Sequence, residues 1–249
     1  MRSSELSLEK YDSDKITSKY LETYDPVFAS YVDKKISLLE LGVFRGGSLL
    51  LWRDYFPLGK IVGIDIKLPP GFVPGKRVEV YQGSQSDTEF LSRISHAAAP
   101  EGFDIIIDDA SHIGELTKTS FWHLFNFHLK PGGLYVIEDW GTGYWSDWPD
   151  GKSLDLERYA QTKIKTTRLW LLWLRVAGKL GMKFSMRHHA NGMVGFVKQL
   201  VDEQGASDVT RGKIEWKPKR SSRFESLTIT QSIVFVKKAR RQENVQRNM

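Results

Sequence analysis

The apolar positions of this 249-residue chain fall into short runs of strand length, separated by longer stretches of mixed polarity. Five runs stand out: Ile36 to Leu41 (ISLLEL), Ile61 to Ile66 (IVGIDI), Val78 to Gln82, Phe103 to Asp108 (FDIIID) and Gly133 to Glu138 (GLYVIE). Nearly continuous apolar runs predict strands covered on both faces, with helices crossing between parallel neighbours. The intervals supply such helices over Gly47 to Tyr55, Asp87 to Ala98 and Ile113 to Leu129, the last ended by Pro131-Gly132-Gly133. Near the end, SLTITQ and SIVFVKK follow closely enough for a hairpin, although no Asn-Gly turn joins them. The pattern predicts an α/β, doubly wound, mostly parallel sheet, without internal repeats or a low-complexity linker.

Composition narrows the class. The length fits one large globular domain or two small ones. With 12% aromatic residues the chain is not a disordered one, and with no Cys it has neither disulfides nor a zinc-thiolate site, which fits a reduced, cytoplasmic setting. The opening MRSSELSLEKYDSDK is acidic where a signal peptide needs an apolar core, and the longest apolar run, Leu169 to Leu174, is too short to span a bilayer. The net charge of +6 is uneven: Lys213 to Met249 holds ten Lys and Arg against three Glu. That basic end reads as a solvated terminus, with contact to a polyanion as the other reading.

The densest local signal is the turn after the first strand, LLELGVFRGGSLLLW. Gly42, Gly46 and Gly47 permit a sharp bend and a close ligand approach, and the following helix points free N–H groups into the same crevice. The G-x-x-x-G-G spacing is neither the dinucleotide fingerprint nor a phosphate loop with its lysine. Asp65, at the end of the second strand, stands where a carboxylate can accept both hydroxyls of an adenosine ribose.

Through ELGVFRGGS, GID, the acidic end of FDIIIDD and the LKPGG before the fifth strand, residues 36 to 139 resemble the class I S-adenosylmethionine (SAM)-dependent methyltransferases. A closer resemblance, to the macrocin and mycinamicin sugar O-methyltransferase family, rests on SDK at Ser13 to Lys15, DDASH at Asp108 to His112, YVIEDW at Tyr135 to Trp140 followed by GYW, and GMVGFVKQLVDE. It implies a seven-stranded, Rossmann-like sheet whose last strand is antiparallel. It divides the chain into an N-terminal cap segment (1–35), a methyltransferase domain (36–240) with an acceptor-binding insertion at about 140–212, and a basic tail (241–249).

The resemblance also implies roles. SAM is expected on Glu40, Gly42, Gly46, Ser48, Asp65, Gln82, Gly83, Ser84 and Asp108, closed over by the segment containing Lys15, with Tyr20 and Tyr24 following at helical spacing. Many relatives carry an acid where this chain has Ser84, so adenine recognition passes to Gln82, Gln85 or backbone amides. Asp109, Glu138 and Asp139 are implied to bind magnesium, and His112 to act as general base. Carboxylates without a thiolate suit a hard ion. The plainer readings are a helix cap at Asp109 or Ser111 and a solvated acidic pair at 138 and 139.

Trp140, Tyr144 and Trp145, with Trp148, offer flat faces for a sugar or polyketide acceptor, or else pack a lid on the core. His188 and His189 could approach the same pocket. Ile164 to Leu180 reads as a helix with Lys165, Arg168, Arg175 and Lys179 on one stripe and a broad apolar face. That face packs beneath neighbours, meets a second protomer of a homo-oligomer, or, last in order, touches a membrane surface. The implied activity is SAM- and Mg²⁺-dependent O-methylation of a hydroxyl, on a sugar of a glycosylated natural product or glycolipid. A nucleic-acid methyltransferase, suggested only by the pI of 9.3 and the tail, and a SAM-binding accessory protein without turnover are the alternatives.

Overall fold

In a computed structural model, which describes residues 2–152, 192–211 and 219–240, the apolar runs become strands of one sheet. They are β1 (Ser37–Leu41), β2 (Lys60–Asp65), β3 (Val78–Gln82), β4 (Phe103–Asp108), β5 (Leu129–Glu138), β6 (Phe224–Ile229) and β7 (Ile233–Lys238). Their order is β3-β2-β1-β4-β5-β7-β6. The first five run parallel, and β7 is antiparallel to both β5 and β6. The hairpin forms without Asn-Gly because the Thr230 side chain closes it, accepting from Ile233 N at 3.0 Å and donating to Ile233 O at 2.7 Å.

Seven helices matter for the site: α1 (Asp14–Thr17), α2 (Tyr20–Phe28), α3 (Gly47–Tyr55), α4 (Thr88–Ala98), α5 (Gly114–Phe127), α6 (Pro149–Lys152) and α7 (Gly192–Gln204). Strand side chains alternate between faces, so each strand feeds two cores. Leu38, Ile105, Ile107, Leu134 and Val136 pack with Tyr24 and Phe28 of α2 and Trp52 of α3. Leu39, Leu41, Ile106, Tyr135 and Ile137 pack with Leu91 of α4, Phe121 and Phe125 of α5, and Phe196 of α7. The fifth strand starts earlier than its apolar run. Phe103 pairs with Leu129 and Ile105 with Leu134, so Lys130 to Gly133 bulge out, with Gly132 at φ +76°.

Only part of the expected acceptor-binding insertion is described; the 164–180 stretch, the pair at 188 and 189 and the tail 241–249 lie outside the described residues. Among the described residues no helix is long and apolar enough to cross a membrane.

Candidate active site

The glycine turn after β1 packs directly on the turn after β4. Gly42 has φ +98°, and a Cβ there would lie 2.1 Å from the Asp109 carbonyl oxygen, so glycine is required twice over. At Gly47, which opens α3, a Cβ would lie 1.9 Å from the Asp12 carbonyl: the N-terminal segment rests on the start of that helix. Between these surfaces is a cavity of about 440 Å³, lined by Gly42, Gly47 and Ser48, by Asp12 to Asp14 and Thr17 of the N-terminal segment, and by Asp109 and His112.

The other residues expected at the cofactor divide. Asp65 is partly exposed at the end of β2, where Oδ2 accepts from Val43 N at 2.7 Å and Phe44 N at 3.1 Å, and Oδ1 from Lys67 N at 3.0 Å. Gly46 is covered by the Phe72 ring, and Gly83 gives room to the Phe90 ring of α4. Gln82 is exposed, and Ser84 Oγ lies 3.0 Å from Ser86 Oγ. Gln85 is not free for adenine: it donates to Asp108 Oδ1 at 3.2 Å and accepts from Ser111 N at 3.1 Å.

Asp108 turns away from the cavity. Strand parity puts it on the α5 face, where it accepts from Ser120 Oγ at 2.7 Å and Tyr135 OH at 3.2 Å, and burial raises its pKa to about 6.

The same parity brings Glu40, Asp109 and Glu138 onto the opposite face, beneath α1 and α2. Lys15, with no exposed surface, lies among them. Its ammonium is 2.6 Å from Asp109 Oδ2, 2.9 Å from Glu138 Oε1, 3.0 Å from Glu138 Oε2 and 3.4 Å from Glu40 Oε1. Burial alone would lower the Lys15 pKa, but the three carboxylates outweigh it and hold the group well above its usual value. Ser48 Oγ at 2.8 Å and Trp52 Nε1 at 3.1 Å complete the shell of Glu40. Tyr24 donates to Glu138 Oε1, and Tyr20 to Asp139 Oδ1.

Asp139 and His112 both adopt left-handed backbone, at φ 52° and 50°. That turn swings Asp139 out of the strand register toward His112, whose Nε2 lies 3.8 Å from Asp139 Oδ2 and 3.7 Å from Asp109 Oδ1. Burial raises the Asp139 pKa, opposed by the Tyr20 hydroxyl and His112. The structure therefore brings Asp109, His112 and Asp139 together and leaves Glu138 with Lys15 and Tyr24. Ser111 does not cap α5 in the ordinary way; its Oγ accepts from Ile113 N at 3.2 Å, while Asp150 Oδ2 takes the Gly114 N–H at 2.8 Å.

Of the aromatic residues, Trp140 packs on the core and donates its indole N–H to Thr230 O at 3.0 Å. Tyr144 and Trp145 are 41% and 53% exposed, so they present their rings to solvent. Trp148 stands beside His112, ring centroids 5.9 Å apart.

No family model matches the chain. Known proteins do. Over 129 residues, 49% of the chain, it is 46% identical to mycinamicin VI 2''-O-methyltransferase of Micromonospora griseorubida, of which the match covers 31%. Over 154 residues, 55% of the chain, it is 38% identical to demethylmacrocin O-methyltransferase of Streptomyces fradiae, of which the match covers 38%. A structure of the MycE methyltransferase in complex with Mg, SAH and mycinamycin VI superposes with a TM-score of 0.63 at 29% identity, over 91% of this chain and 51% of that one. The fold is that of the class I SAM-dependent methyltransferases. The chain spans about half the length of MycE, and its matches cover about a third of the curated relatives.

Within this methyltransferase sheet, sequence reasoning did not find the link from Lys15 to the acids. The signal was available: Glu40, Asp109 and Glu138 each continue the alternation that puts Leu38, Ile107 and Val136 on the α2 face. Nor did it find Asp150, whose Oδ2 also accepts from Met193 N, at 2.8 Å.

Proposed function

We propose that this chain is an O-methyltransferase that uses SAM and a magnesium ion to methylate a sugar hydroxyl of a small-molecule glycoside. The reading is carried by one arrangement: His112 Nε2 faces the Asp109 and Asp139 carboxylates at 3.7 and 3.8 Å, and Asp109 and His112 line the same cavity as the glycine turn. The likeness to sugar O-methyltransferases supports it.

A neutral hydroxyl is a poor nucleophile, so transfer to it needs a base and a source of positive charge. The carboxylate oxygens of Asp109 and Asp139, with no thiolate beside them, fit a hard divalent ion, and the His112 imidazole next to them is left for the proton. Asp109 and Asp139 would hold magnesium, with Glu138 next to them, and the bound ion would lower the pKa of an acceptor hydroxyl. His112 Nε2 takes the hydroxyl proton. The glycine turn and Ser48 cradle the cofactor, Asp65 receives its ribose, and residues 1–35 cap it. Tyr144 and Trp145 flank the sugar, whose apolar face stacks on them. A cytoplasmic setting fits a chain without Cys.

Incubation of the full chain with SAM and a panel of macrolide and aromatic-polyketide glycosides tests the reading by mass spectrometry. Gain of one methyl on a sugar oxygen, abolished by EDTA and restored by Mg²⁺, is expected. Undiminished turnover in EDTA removes the metal, and methylation confined to nitrogen or to nucleic acid removes the acceptor class.

A further inference from the structure

The geometry points to a second ligand site at the opposite pole of the sheet: a basic pocket of Lys34, Lys35, Lys237 and Arg240 that takes a small oligophosphate, two or three linked phosphates, free or carried on a nucleoside. The four cations line a cavity of about 390 Å³. It lies at the amino ends of the parallel strands. Ile36, which precedes β1, and Asp104, the second residue of β4, belong to its wall, whereas Gly42 and Asp109 follow the carboxyl ends of the same two strands. Those strands are five and six residues long, so roughly 17–20 Å separates the two poles at about 3.3 Å per residue.

The cations come from two distant parts of the chain. Lys34 and Lys35 stand in the connection between α2 and β1; Lys237 and Arg240 belong to β7 and the residues after it, in the basic end to which methyl transfer gives no role. The acid in the lining, Asp104, is already spent: its Oδ2 accepts from Ser37 N at 2.8 Å and from Lys130 Nζ at 2.9 Å. Lys237 holds Glu225 at 2.7 Å, outside the lining. Among the described residues Lys34 and Lys35 have no acidic partner, and Lys34 Nζ lies over the Tyr31 ring, 5.8 Å from its centroid. The Arg240 stem rests on the β5 bulge, where a Cβ on Gly132 would lie 3.2 Å from Arg240 Cγ and 3.3 Å from its Nε.

Like charges gathered around one concavity repel each other and focus a positive field into it, so an anion that meets several of them relieves the repulsion. Ammonium and guanidinium groups only donate, and the guanidinium fork matches two oxygens of one phosphate. One orthophosphate meets one or two of the four cations; linked phosphates reach those of both chain segments. The cavity has the volume of a small-molecule site, about 300–1,000 Å³, and its concave form suits such an anion better than a flat bilayer face.

Calorimetry of the full chain with sodium tripolyphosphate, ATP and orthophosphate, all without divalent ions, tests this. Tripolyphosphate should bind one to one and raise the melting temperature, as a ligand of the folded state must. Orthophosphate should bind at least about tenfold more weakly. Lys34→Gln combined with Lys35→Gln, and separately Arg240→Gln, should each weaken tripolyphosphate at least about tenfold, the worth of a charge-assisted hydrogen bond. Without the anion these variants should keep the parent's SAH affinity and melting temperature, because none of their side chains lines the cavity beside the glycine turn. Lys76→Gln combined with Arg93→Gln removes equal charge from exposed positions elsewhere and should leave binding parental. ATP bound more tightly than tripolyphosphate identifies a nucleotide as the carrier of the phosphates, and equal affinities identify the phosphate chain alone. Binding that does not saturate, that survives in both pocket variants, or that falls as far in the Lys76 and Arg93 control overturns the site. Retention only by RNA or by vesicles of anionic lipid, with no tripolyphosphate bound, overturns it as well.

Discussion

Asp65 Oδ2 accepts the backbone N–H of Val43 at 2.7 Å, 22 residues back along the chain. The carboxylate proposed to receive the ribose therefore also clamps the glycine turn proposed as the cofactor floor. Asp65→Ala removes both functions at once. SAH binding should weaken by roughly 2–4 kcal/mol, the worth of two charge-assisted hydrogen bonds, and the melting temperature should fall as the turn loosens. Calorimetry with SAH checks it, and parental affinity would place the ribose elsewhere.

Asp150 joins two helix starts. Its Oδ2 accepts from Gly114 N in α5 and Met193 N in α7, both at 2.8 Å, and a Cβ on Gly114 would fall 2.1 Å from the Gly192 carbonyl carbon. One carboxylate thus caps two positive dipole ends. Asp150→Ala should cost about 1–3 kcal/mol, with Asp150→Asn in between because it keeps an acceptor oxygen but loses the charge. Urea unfolding of the three proteins measures it.

The strands and the crossover helices were legible because apolar runs and Gly/Pro punctuation are local signals. Site membership was less so. Ser13 to Lys15 could be read as a segment that closes over the cofactor, but that Lys15 ends among Glu40, Asp109 and Glu138 follows from tertiary packing, which places α1 over three strand ends. Asp108, expected at the cofactor, has its side chain on the α5 face: adjacent strand residues face opposite ways, so Asp108 and Asp109 point apart. Asp139 escapes that rule only through its left-handed backbone, which no residue type at that position announces.

Stability should respond to acid through a histidine cluster remote from the cavity. Ser92 Oγ lies 2.8 Å from His123 Nε2 and 3.1 Å from His128 Nε2, and the His96 ring sits 5.1 Å from that of His128. Burial, then His123 and His96, lower the His128 pKa to about 4. Against an unfolded value of ~6.5, the unfolded chain takes up the proton first, so stability is intact above pH ~6.5 and is lost as pH falls toward about 4. Asp108 acts in the opposite sense. Its folded pKa of about 6 exceeds the unfolded ~3.9, so folding is relieved of that cost over the same fall. Comparison with His128→Gln isolates the histidine: the parent should lose stability relative to the variant between pH 7 and pH 5, and a constant difference would show that His128 protonation is not linked to folding.

His112 faces two carboxylates from a left-handed backbone, φ 50°, in the short connection between β4 and α5. A conformation that few residue types adopt is retained where the surrounding structure imposes it, and here it belongs to a residue that lines the cavity beside the glycine turn. If that nitrogen takes the acceptor proton, His112→Ala should lose on the order of 10²–10⁴ in methyl-transfer rate. SAH affinity should stay parental, because the glycine turn and Asp65 do not depend on the ring. His112→Asn separates chemistry from fold: asparagine tolerates left-handed backbone, so the variant should melt near the parent and yet be as inactive as the alanine variant. Single-turnover methylation and thermal melting of both variants decide it. A normal rate in His112→Asn would mean that the proton leaves by another route, and a rate loss matched by lost SAH binding would make His112 a scaffold for the cavity rather than its base.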